Sequence, residues 1–169
     1  MEEHEKIIKL KSKVDNYETE LTKKAAMRSE LLKGLINDYP DETLFNIDQV
    51  NKEALDKIKE YLQHYQDTEP KEIQRPLPSS DFKECVDEWD NKFIGNEDNI
   101  EVLENLILAA NYMDIKPLLN LLSAKIALKI KGINTSTIRN VFEISNLNKK
   151  EKEQLLGDKK YLEENFNNI

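Results

Sequence analysis

His4, His64 and Cys85 are the only histidines and the only cysteine in the chain, so any nucleophilic or thiolate chemistry rests on these three. A Cys–His pair needs a base that reaches the thiol. His64 and His4 stand far from Cys85 in sequence, and no local motif links them. No cysteine–histidine spacing suggests zinc, so no metal is expected. With 4 glycines in 169 residues there is no glycine-rich loop to cradle a phosphate, and no cofactor is expected. The many Asp and Glu residues alternate with Lys and read as solvated helix faces. The expected catalytic residues are therefore none, and chemistry by the chain itself is not expected.

Charge narrows the field further. Lys plus Arg is 25 and Asp plus Glu is 33, a formal charge of −8. Binding to nucleic acid or an anionic membrane needs basic surface, so neither is expected. A single cysteine gives no internal disulfide and suits a reducing compartment. The start "MEEHEKIIKLKSK" lacks the apolar stretch of a signal peptide, and no run approaches a membrane span. These features point to a soluble intracellular protein.

The elements follow from period and capping. Short strands are expected at 7–10, 17–21 and 43–47, with "KSKVDN" turning a hairpin between the first two. Thr22 caps one helix through "KKAAMRSELLKGLI", with Met27, Leu31 and Leu35 spaced four apart. Asn51 caps another, with Ala54, Leu55, Ile58, Leu62 and Tyr65 as its core stripe. Three of the five prolines lie in residues 66–88, which are expected to form a mobile loop; its "RPLPSS" could also dock a peptide. Trp89 and Phe93 suit one helical turn packed inward. From Ile100 to Ile130 the chain is helical twice over, broken at "DIKPL". "NTSTIRNVFEI" reads as a short capped helix, followed by a charged tail. The order β β α β α, then helices, makes an α+β fold. The expected division is a domain over 1–131 and a helical extension over 132–169.

Two features stand out. Asn111 and Tyr112 put a polar pair at the end of the most apolar segment, "LILAANYMDIKPLL". The helix 118–130 has two apolar sides. At about 100° per residue, Leu119, Leu122, Ile126 and Ile130 fall within roughly 80° of one another, opposite Leu121, Ala124 and Leu128. Lys125 and Lys129 fill one edge, and Asn120 and Lys131 the other. One apolar face serves the core. The second needs another cover, either the tail or another protein.

These residues resemble the Skp family of SCF ubiquitin-ligase adaptors, which have the BTB/POZ fold. The likeness rests on "LILAANYMDIKPLL", on "IKG…TIRNVFEI", on "EWDNKFI" beside the family's "VWDQEFL", and on "NKEALDKIKEYLQHYQD", where Tyr65 replaces a second histidine. It implies a small three-stranded sheet with helices, followed by a C-terminal helical F-box-binding extension. It implies two partners, a cullin and F-box proteins, with cytoplasmic and nuclear localisation. Asn111 and Tyr112 fall on the family's cullin-binding pair. Leu119, Ser123, Ile126 and Ile130 fall on its F-box-binding face. Phe142 matches a family phenylalanine, and Tyr161 a tryptophan if one residue is deleted near Asn146. The free protein could form a homodimer through its exposed apolar groove. The alternatives are an F-box scaffold outside a ligase, as in a kinetochore-type complex, and an elongin C-like adaptor; the length past Lys131 favours the Skp type. The chain departs from the family at "NLNKKEKE", "KGINTST", the "NEDN" insertion and Gly157.

Overall fold

The structure is a computed structural model that describes residues 6–131. Three strands form one sheet in the order β2-β1-β3. Strands β1 (Ile7–Ser12) and β2 (Glu18–Thr22) make an antiparallel hairpin. Their alternation is the period-2 signal of a half-buried sheet: Ile8, Leu10 and Leu21 point into the core, while Lys9–Glu20 (3.2 Å) and Lys11–Glu18 (2.8 Å) pair directly across the outer face. The hairpin is tighter than expected. Strand β1 runs on through Lys11 and Ser12, and Asn16 turns the chain with φ 53°. Ser12 is buried because its hydroxyl donates to the Val50 carbonyl at 2.6 Å. Strand β3 (Leu44–Ile47) pairs parallel to β1.

Between β2 and β3 the structure departs from the single helix expected. Helix α1 (Lys23–Ala26), capped by Thr22, stops at Met27. A second helix, α2 (Glu30–Asp38), starts from Ser29. The Ser29 hydroxyl accepts from the Leu32 amide at 3.2 Å and donates to the Met113 carbonyl. A buried serine with both roles filled favours a fresh N-terminus over helix continuation. The deeply buried residues are accordingly Leu32 and Ile36; Met27, Leu31 and Leu35 pack only partly against the core.

Helix α3 (Lys52–His64) begins at the Asn51 cap, as expected. Ala54, Leu55, Ile58, Leu62 and Tyr65 are all buried, together with Tyr61. The proline segment meets only part of its expectation. Residues 66–81 carry neither helix nor strand, but Phe82–Cys85 forms a helical turn, α4, and Phe82, Cys85 and Val86 are buried. Apolar burial thus sets in six residues before 88, where loop character was expected to end. Helix α5 (Glu88–Ile94) follows from the Asp87 cap. Trp89 stacks on Phe93 at 5.0 Å and on His64 at 3.7 Å. Asn99, the end of the "NEDN" insertion, caps α6 (Ile100–Tyr112). Helix α7 (Lys116–Ile130) has Pro117 in its first turn, where a missing amide proton costs nothing. Among the described residues no helix is long and apolar enough to cross a membrane.

Candidate functional site

The end of α6 is built to present its last residues. The Ile115 amide donates to the Ala110 carbonyl at 2.9 Å, and the Asp114 amide to the Asn111 carbonyl at 3.1 Å. Asp114 sits in the left-handed region at φ 49°. This is a Schellman closure, which satisfies the last carbonyls and turns the chain sharply. Asp tolerates the left-handed conformation better than a branched residue would. Ile115, just beyond the turn, buries its side chain and locks the corner. Asn111 consequently stands exposed on the last turn, and Tyr112 is half-buried with its body against the core. Its position is close enough to Lys13 to add to the Asp48 carboxylate's stronger effect in holding that amine above its usual value.

Leu108, one turn before Tyr112, is 58 % exposed. Sequence reasoning did not single it out. Its signal was its offset from the buried stripe Leu103, Leu106 and Ala110, which leaves it on the same side as Tyr112.

Helix α7 presents the second surface. Leu118, Leu121, Leu122, Ala124 and Lys125 are buried. Leu121 and Ala124 face the core as expected, but Leu122 joins them instead of the outer group. Lys125, expected at a polar edge, is only 7 % exposed. Its stem packs inward, its ammonium lies 5.2 Å from the Phe82 ring centre, and it donates to the Gly95 carbonyl. Burial holds its pKa below the usual lysine value. The buried stripe is thus centred on Leu118, Leu122 and Lys125, spaced four and three apart. The α4 turn and the end of α5 lie beneath it, a placement set by tertiary packing.

Opposite that stripe, Leu119, Ile126 and Ile130 are half-buried and Ser123 is exposed. The Ser123 hydroxyl donates back to the Leu119 carbonyl at 2.7 Å, so its own hydrogen bond is already made. These four residues share one sector of the helix, with exposed Ala127 beside them. Phe142 and Tyr161 lie outside the described residues, as does His4.

Among the described residues, those able to do chemistry do not assemble. Cys85 is buried and its thiol donates to the carbonyls of Ser79 and Asp81 at 3.5 and 3.4 Å. His64 is stacked on Trp89. Among the described residues, no three His, Cys, Asp or Glu side chains come together as metal ligands. Buried Asp90, pushed up to about 6 mainly by burial, accepts from the Tyr65 hydroxyl at 2.9 Å. That bond ties α3 to α5.

A small mixed sheet backed by helices, with a sharply turned α6–α7 corner, defines a POZ-type α+β fold. The Skp1 family's tetramerisation-domain (POZ) model matches residues 6–67, and the family's dimerisation-domain model matches residues 116–160. The S-phase kinase-associated protein 1 homolog of Tetrahymena thermophila is 41 % identical over 152 residues, covering 89 % of this chain and 91 % of the relative. The E3 ubiquitin ligase complex SCF subunit sconC of Arthroderma benhamiae is 33 % identical, covering 89 % and 92 %. The suppressor of kinetochore protein 1 of Schizosaccharomyces pombe is 33 % identical over 157 residues, covering 89 % and 94 %. The chain belongs to the Skp1 family.

Proposed function

We propose that this protein is the adaptor subunit of an SCF-type ubiquitin ligase and bridges a cullin to F-box substrate receptors. The observation that carries the reading is near full-length similarity to a relative named as an SCF subunit. The adaptor contributes no bond-making chemistry. It raises the local concentration of receptor-held substrate near a cullin-bound ubiquitin carrier. In this reading it works in the cytoplasm and nucleus. Residues 1–131 supply the POZ domain, with Asn111 and Tyr112 as cullin contacts. Residues 132–169 supply the helical extension, whose Phe142 and Tyr161 join Leu119, Ser123, Ile126 and Ile130 on the F-box. The exposure of Asn111 and the shared sector of the four α7 residues support this assignment.

A second reading, an F-box scaffold outside a ligase, has support in the name of the fission-yeast relative. Affinity capture of the full chain from native extract, read by mass spectrometry, separates the two. Recovery of a cullin with F-box proteins is expected. F-box proteins without any cullin would select the scaffold reading, and neither partner would overturn both.

A further inference from the structure

The proline segment makes a wall beside α7. Pro76 and Pro78 exclude helix and strand, yet the segment is held at several points. Ile73 and Leu77 pack against the hydrophobic core. The Arg75 guanidinium donates to the Asn120 side chain at 2.6 Å. Farther along, the Lys131 ammonium donates to the Ser80 hydroxyl at 2.9 Å. Between this strap and α7 lies a cavity of about 450 Å³. Ile73, Pro76 and Leu77 form one side, and Ser123, Ala124 and Ala127 form the floor. The strap leaves Ser123 and Ala127 exposed, so it borders the outer face of α7 without covering it.

We propose that Ile73–Leu77 is a second wall of the receptor groove and that Arg75 is a specificity-determining residue at its mouth. The inference rests on the reading of the α7 outer face given above, with which the cavity is continuous through Ser123. The occupant is an amphipathic helix of the F-box receptor. Small floor residues and apolar walls fit one bulky apolar side chain lowered between Leu77 and Ala127. A guanidinium has five N–H donors; among the described residues Arg75 donates to Asn120 alone. Its other donors suit a carboxylate about one turn along the receptor helix. A receptor with a basic residue there is disfavoured by like-charge contact, which gives discrimination as well as affinity.

The test uses the full chain, an F-box segment from a receptor captured with it, and the N-terminal region of a captured cullin. Arg75→Glu and Ala127→Arg each alter an exposed position, so melting temperature should hold. Each should weaken F-box binding about tenfold or more and leave cullin binding unchanged. Because the two variants lie on different elements, Ala127→Arg still decides the matter if Arg75→Glu loosens the strap. Ile126→Glu is the companion variant. Loss of binding in Ile126→Glu, with both strap-side variants within about twofold of the parent, overturns this inference and leaves the α7 reading standing. Loss in the strap-side variants alone supports the strap wall and narrows the α7 contact to its Ser123–Ala127 side, removing Ile126 from it. Unchanged binding in all three overturns both.

Discussion

At the residue scale, the buried polar groups set the pH behaviour. Asp90 is 3 % exposed, and Asp87 also faces the one hydroxyl proton of Tyr65, at 3.1 Å. The folded pKa of Asp90, about 6, lies above the ordinary value of 3.8. A carboxyl shifted upward prefers its proton in the folded state, so ionisation above pH 6 costs stability, and stability is regained as pH falls from about 6 toward 4. Asn at this position keeps an acceptor for Tyr65 without the charge. Asp90→Asn should therefore raise stability at about pH 7.5 by on the order of 1–3 kcal/mol, and the melting temperature with it. The gain should shrink near pH 4, as thermal melts at the two pH values would show. Asn111→Lys with Tyr112→Lys belongs to the same scale. Asn111 is exposed and Tyr112 half-buried, so the fold should survive. Loss of a central interface aromatic commonly costs about 2 kcal/mol or more, roughly thirty-fold in affinity. A titration with cullin should show that loss, with F-box binding intact. A folded double variant that binds cullin as tightly as the parent would remove the pair from the interface.

At the element scale, helix ends decide the architecture. Ser29 caps α2 and bonds to Met113 at the α6–α7 corner, across 84 positions of sequence. Ser29→Ala removes the cap and leaves the buried Met113 carbonyl with only the longer bond from the Leu31 amide at 3.4 Å. A loss of about 1–3 kcal/mol is expected in denaturant unfolding. Because Met113 follows Tyr112 directly, cullin affinity should fall as well. Helix α7 allows a paired test of its two sides. Leu121 is buried, so Leu121→Glu places an unpaired carboxylate in the core and should unfold the domain. Ile126 is half-buried on the other side. Ile126→Glu should leave the domain folded and abolish F-box binding while sparing cullin binding. A cooperative melt for Leu121→Glu close to that of the parent would contradict the orientation of α7.

At the scale of the whole molecule, the proline segment is packed on the domain at Ile73 and Leu77 and buried in it from Phe82 onward. Composition alone suggests that residues 66–84 can be shortened freely, since loop length changes closure entropy slowly. The structure reverses that expectation. Deletion of 66–84 would remove buried Phe82 and the contacts of Arg28 with Thr68 and Glu69. Burying one phenylalanine contributes about 1.5–3 kcal/mol, and in a chain of this size such a loss lowers the melting temperature by roughly 3–12 °C. Removing only Lys71 and Glu72, both exposed, should have little effect. Calorimetry on the two deletions distinguishes a packed strap from a free loop.

The sequence by itself determined the strands, the caps at Thr22 and Asn51, the core stripe of α3 and the break before Pro117. Each is set by neighbours within a few positions: alternation, a side chain reaching its own helix amide, or a missing amide proton. Residue types and spacing also carried the family likeness and singled out Asn111, Tyr112 and the α7 sector. Tertiary contacts decided the rest. Ser29 restarts a helix because Met113, remote in sequence, offers it a carbonyl. Lys125 is buried because Gly95 and Phe82 come beneath α7. Leu122 turns inward for the same reason: the width of a buried stripe depends on what packs against it, and periodicity along one helix carries no record of its neighbours.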